Sequence, residues 1–166
     1  MNSVPTLHSI SANPVNSENF EPYGQVIVAS EDGKPFNSEE AQLQLDQGTP
    51  RFYIMRLRDR GLQFSRMTRH QHCTQCLGSL EGKDWLLAVA PPSPTAQPRL
   101  EDIVAFHIPG TCFVKLSLGT WHAGPYFTHA KVDFYNLELA DTNIIDHETC
   151  NLSEVYGLSL TITTVA

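Results

Sequence analysis

Apolar positions along this chain recur mostly at every second residue or in short unbroken runs. "RFYIMRL" (Arg51 to Leu57), "WLLAVA" (Trp85 to Ala90), "DIVAFHI" (Asp102 to Ile108), "CFVKLSL" (Cys112 to Leu118) and "VDFYNLEL" (Val132 to Leu139) are rich in β-branched or aromatic residues and bounded by Gly, Pro, Ser or Asp. Each predicts a strand, and several strands at short spacing predict a sandwich or barrel. Helical patterning is weak: a cap at Ser17 would open a segment that meets Pro22 within about one and a half turns. "SEEAQLQL" after Ser38 fits either another short helix or an irregular segment. The Pro91 to Pro98 stretch predicts an exposed loop between two strands. The expectation is an all-β domain spanning 1–166 with a few short peripheral helices and a loosely ordered N-terminal segment over 1–18.

Composition narrows the partners. With 166 residues and 41% hydrophobic content, the chain supports one well-buried core. Its formal net charge is -7, from 11 basic and 18 acidic residues without a Lys/Arg cluster, which argues against nucleic acid. The first twenty residues lack a basic segment followed by an apolar one, and no apolar run is long enough to cross a bilayer, so a cytoplasmic protein is expected. Cys73, Cys76, Cys112 and Cys150 are too sparse for a disulfide scaffold and are expected as reduced thiols. "CTQC" lacks the second cysteine pair of a structural zinc site, and it runs into "LGS" rather than opening a helix as a redox motif would.

Six of the seven histidines lie between His70 and His147. In "TRHQHCTQCLGSLEG", His70 and His72 share a face if the segment is a strand, and Gln75 and Glu81 follow across a turn. In "FVKLSLGTWHAGPYF", Lys115 and Ser117 precede Gly119. If "LGT" turns the chain, His122 returns beside that strand and faces the same cavity as Lys115. Plainer readings stand beside these. His122 fits a core histidine bonded to a backbone carbonyl near Trp121 and Tyr126, and His70 and His72 fit surface strand residues. Lys115, opposite Val114 and Leu116, fits an outward position, and Arg56 fits either a pocket cation or a snorkelling edge residue. Asp133 is a buried acid if its face turns inward, while a bulge would bring Asn136 or Glu138 there instead. His107, His129 and His147 read as loop or edge residues, and His8 belongs to the mobile N-terminal segment.

His-x-His, Gln75, six residues and then Gly82, followed later by Gly119, two residues and His122, resemble the two motifs of the cupins, small jelly-roll β-barrels. Over Phe20 to Asn151 the likeness sharpens: "FEPYGQVI", "TRHQHCTQCLGSLEGKDWLLAVA", "FVKLSLGTWHAGPYF" and "VDFYNLELADTN" resemble the ureidoglycolate lyase family. The resemblance implies cleavage of ureidoglycolate to glyoxylate and urea during allantoin and purine nitrogen breakdown. That chemistry needs a base, a proton donor and a cation for the substrate carboxylate. His70 and His122 are the expected acid–base pair, with Gln75 orienting the ureido or hydroxyl group. Lys115 is the first candidate for the carboxylate and Arg66 the second, and Trp121 and Tyr126 are expected against the substrate.

By the same resemblance His70, His72, Gln75 and His122 stand at metal-ligand positions, which nickel, manganese or zinc could occupy. The sequence departs from the cupin pattern there. Gln75 replaces the usual glutamate and adds no charge, Ser117 stands where proline is common, and Tyr126 stands where asparagine would complete the second motif. A homodimer is expected because open sheet edges must be covered. The alternatives are a non-catalytic cupin that binds a small carboxylate, and a metal-dependent oxidase or isomerase of another cupin branch.

Overall fold

The computed structural model describes residues 4–164, and its strands follow the alternation of the sequence. They are β1 (Thr6–Pro14), β2 (Gly24–Val28), β3 (Pro50–Arg58), β4 (Gln63–Phe64), β5 (Arg66–Arg69), β6 (Gln75–Ser79), β7 (Trp85–Ala90), β8 (Val104–Ile108), β9 (Cys112–Leu116), β10 (Trp121–Tyr126), β11 (Lys131–Leu139), β12 (Glu148–Asn151) and β13 (Leu158–Thr164). Two single-turn helices, α1 (Thr142–Ile145) and α2 (Leu152–Val155), complete the frame with a 3-10 turn at Leu100–Asp102. An eight-stranded sheet runs β12-β5-β10-β7-β8-β1-β13-β4, and a five-stranded sheet runs β2-β9-β6-β11-β3.

Strand β7 explains how they stack. All six of its residues are buried because its two faces meet different apolar cores. Trp85, Leu87 and Val89 pack between the sheets with Leu77, Val114, Leu116, Val132 and Phe134. Leu86, Ala88 and Ala90 turn the other way, toward Met67, Trp121, Leu160 and Ile162. A run that is apolar at every position is what a strand buried on both faces requires. The two sheets curl around the first core into an all-β, cupin-like fold with only short peripheral helices.

Several expectations change. From Thr6 onward the N-terminal segment is built into the sheet: β1 pairs parallel with β13 from Thr6 opposite Leu158 to Ala12 opposite Thr164, and with β8 at its other edge. His8 lies on this strand, and residues 1–3 fall outside the described ones. No helix starts at Ser17. Asn16 Oδ1 instead accepts the Glu18 and Asn19 N–H groups at 3.0 and 2.8 Å, folding the segment into turns. The stretch after Ser38 is irregular and is tied down by Gln25 Nε2, which donates to the carbonyls of Ser38 and Glu40. No helix among the described residues is long and apolar enough to cross a membrane.

The "LGT" stretch does not fold Lys115 and His122 onto neighbouring strands. It carries the chain from β9 in one sheet to β10 in the other. Gly119 has a φ of +77° there, a conformation glycine adopts without strain, and its N–H donates to the His70 carbonyl at 2.7 Å. One bond thereby joins the two histidine-bearing segments. Replacing Gly119 by Ala adds a Cβ in the left-handed region, 3.3 Å from Pro92 Cβ. We expect Gly119→Ala to cost about 1 kcal/mol and to lower Tm by roughly 2–4 °C in a thermal melt.

Candidate active site

Strand β11 leaves the apolar core part-way along its length. Val132 and Phe134 belong to the inter-sheet core, whereas Asn136 and Glu138, two and four residues on along the same face, line a cavity of about 360 Å³. β6 does the same in reverse, with Gln75 in the cavity and Leu77 beneath it. Tyr53, Met55 and Leu57 of β3 complete this wall. The facing wall holds Arg66 and Thr68 of β5, His70, the His122 to Tyr126 stretch of β10, and Asn143 and His147 from the α1 region.

The two motif histidines meet here, with ring centroids 5.2 Å apart. His70 Nδ1 lies 2.6 Å from the Asp146 carbonyl, which can only accept, so Nδ1 carries the hydrogen and Nε2 is left with a free lone pair. Asp146 also fixes the loop around this histidine. Its carboxylate accepts the Gln71 N–H and the His72 N–H, each at 2.8 Å. His122 Nδ1 makes a longer contact of 3.4 Å to the Thr120 carbonyl. Burial, with His70 alongside, pushes the imidazole of the half-buried His122 down to about 3. Burial lowers His70 as well, and its bond to Asp146 opposes this only in part. Both rings are therefore neutral near pH 7. His147, read from the sequence as a loop residue, adds a third ring 5.8 Å from His70.

The floor is a closed set of polar side chains. Gln75 Nε2 donates to Asn136 Oδ1 at 3.0 Å and to Glu138 Oε2 at 3.2 Å, and Asn136 Nδ2 donates to the Tyr53 hydroxyl at 3.0 Å. Tyr53 OH and Asn143 Nδ2 donate to Glu138 Oε1 at 3.4 and 3.2 Å. Glu138, only 1% exposed, thus keeps its carboxyl within a ring of donors, as a buried acid must. The β11 register on β3 is unbroken, so Asn136 and Glu138 face inward without a bulge. Asp133 lies on the opposite face and pairs with Arg56 at 2.8 and 2.9 Å, so neither of these two enters the cavity.

The remaining candidates separate. Tyr126 lines the cavity, stacked on Phe64 at 5.8 Å with the Arg60 guanidinium 4.9 Å over its ring. Arg66 and Arg60 both line the cavity. Lys115 does not. It is buried on the outer face of the five-stranded sheet, opposite Cys76, and donates to Ser117 Oγ at 3.2 Å. Trp121 points away from the cavity into the second core, where its indole N–H donates to Ser93 Oγ and Arg69 stacks 4.4 Å from its ring. His72, with its side chain 58% exposed, turns out beside Asp146 and is absent from the cavity wall.

The expected metal set is accordingly incomplete. His70, His122 and Gln75 share the cavity but His72 does not, and among the described residues no three His, Cys, Asp or Glu side chains are grouped to hold an ion. All four cysteines are free thiols.

Apolar strands closed around a small polar cavity with paired imidazoles give the chain a cupin-like fold with one polar site at its heart. Within that class, residues 7–161 match the ureidoglycolate lyases, and the chain belongs to the ureidoglycolate lyase family. No curated protein matches it.

The depressed His122 makes a stability prediction. An unfolded histidine takes up a proton near 6.5, while folded His122 refuses it until about 3. As pH falls through that window the unfolded chain binds more protons than the folded one, so stability declines. We expect His122→Gln to flatten this decline between about pH 6 and pH 4, measured by urea denaturation at each pH.

Proposed function

We propose that the protein cleaves the C–N bond of ureidoglycolate to give glyoxylate and urea, a step in recovering nitrogen from purines by way of allantoin. The observation that carries this reading is the bare Nε2 of His70, held by the Asp146 carbonyl inside a cavity that also presents arginines. His70 Nε2 removes the proton from the substrate hydroxyl. The O–H electrons form the new carbonyl, the C–N bond breaks, and its electrons remain on the departing urea nitrogen. That nitrogen then takes the proton back from the His70 imidazolium, which burial makes a stronger acid than a solvated one. One histidine thus serves as base and then acid, and neutral His122 offers a second acceptor that keeps the hydroxyl turned toward the pair.

The substrate carboxylate goes to Arg66, with Arg60 also on the cavity wall, rather than to Lys115 on the far side of the sheet. A planar guanidinium meets a carboxylate through two N–H groups, which orients the substrate as well as binding it. Gln75 receives the ureido end. Tyr126, anchored by Phe64 and Arg60, supplies an aromatic wall.

Purified protein should release glyoxylate from ureidoglycolate above the spontaneous background, and release should survive a chelator because His70 provides both proton steps. His70→Gln should lower kcat/KM by about 10²–10⁴-fold while leaving the thermal melt in place. Absence of any release, with or without added nickel or manganese, would remove this activity from the chain.

We also propose a homodimer. The outer face of the five-stranded sheet exposes Phe52 and Ile54, at 68% and 56%, beside Tyr135 and Leu137 in direct cross-strand register. Apolar surface of that kind favours association. Light scattering should return twice the 18.5 kDa chain mass, and Tyr135→Glu should shift the mass toward one chain.

A further inference from the structure

The floor of the cavity leaves one group unanswered. Gln75 spends both amide hydrogens, on Asn136 Oδ1 and Glu138 Oε2, and its Oε1 is buried with no partner although the side chain lines the cavity. Turning this amide over would set Oε1 against two oxygens, so its direction is fixed. Asn136 is fixed in turn, because its Nδ2 donates to the Tyr53 hydroxyl, and Tyr53 and Asn143 both donate to Glu138. Each of these donors thus meets an acceptor within the floor. Among the described buried side-chain atoms of the floor, the one with no partner at all is an acceptor, Gln75 Oε1, and a buried acceptor without a partner is costly until a donor reaches it.

We infer that Glu138 and Asn136 are positioning residues that hold the Gln75 amide with its oxygen toward the ligand, so that the site selects a ureido group with a terminal N–H over an isostere lacking one. This rests on the reading of the site as one for ureido carboxylates. With the carboxylate at the arginines and the terminal amino group at Gln75 Oε1, such a substrate meets an acceptor at one end and cations at the other. A carboxylate at position 138 is needed because it accepts from Gln75 and cannot donate to it. An amide there can turn its own N–H toward Gln75 and so permit the Gln75 amide to reverse.

Two stable probes test this by calorimetric titration. Ureidoacetate carries the ureido and carboxylate groups without the reactive hydroxyl, and N-acetylglycine replaces its terminal amino group by methyl. The wild-type protein should bind ureidoacetate at least about tenfold more tightly. Glu138→Gln should bring the two affinities to within about twofold of each other, and Gln75→Leu, which removes the acceptor itself, should do the same. Combining the two substitutions should change the ratio no further than Gln75→Leu alone, since both act through one group. Thermal melts establish that each variant is folded.

The ratio separates positioning from support. If Glu138→Gln weakens both probes equally and keeps their ratio, Glu138 merely supports the wall and the inference fails. Equal affinities in the wild-type protein, or binding of neither probe, also overturn it. A tenfold preference for ureidoacetate in a protein that releases no glyoxylate would refute the lyase reading while upholding the role of Gln75. Turnover of ureidoglycolate with no preference between the probes would do the reverse.

Discussion

The double burial of β7, in the middle of the eight-stranded sheet, is the constraint on which the site depends. Because β7 must satisfy an apolar core on each face, it has no room for polar side chains, and chemistry is displaced to where β6, β10 and β11 run past the inter-sheet core. There each strand continues with its period of two, but the inward positions change from Leu77, Val132 and Phe134 to Gln75, Asn136 and Glu138. The cavity is therefore a continuation of the core in polar residues. Its walls inherit the rigidity of strands whose other ends are locked in close packing.

Two kinds of tether turn that rigid wall into a reactive one. Backbone carbonyls set the imidazoles: Asp146 fixes the tautomer of His70, and Gly119 ties its loop to the turn that precedes His122. Side chains set the floor, whose hydrogen bonds leave the Gln75 carbonyl oxygen buried without a partner. Neither tether needs a charged first contact with the reacting atoms. Burial then keeps both histidines neutral, which suits the proposed cleavage, whose first demand is a lone pair and whose second is the return of the same proton.

Much of the frame could be read in advance. The alternating runs became β3, β7, β8, β9 and β11, and the Pro-rich stretch became a loop, because local pattern decides whether a strand forms. The spacing of His70, Gln75 and His122 led to one cavity. What the sequence hid was which sheet a strand joins and which way it faces. Lys115 and His122 are seven positions apart, yet the chain changes sheets between them, sending Lys115 to the outer surface and His122 into the cavity. Trp121 was lost to the second core for the same reason of alternation. His72 was misplaced because β5 ends at Arg69, so the chain leaves strand geometry before the second histidine. Asp146, Asn143 and Arg60 left no local signal, since their roles exist only across sequence distances that folding closes. Strand β1 leaves no apolar signature because its residues are polar and largely exposed, and pairing with β13 rather than apolar patterning orders it.

That pairing has a consequence for how the molecule comes into being. β1 fills the place between β8 and β13, and Ser11 meets Thr163 across 152 positions of sequence. The sheet that carries His122 consequently cannot close while the chain is still emerging from the ribosome with β13 unmade; until then β1 has a free edge on one side. Such distant pairing raises the entropy lost before contacts are gained and slows folding. The interval during which an unpaired β1 edge is open to other chains is longest for a topology of this kind, which makes nascent chains, rather than finished molecules, the stage most exposed to aggregation.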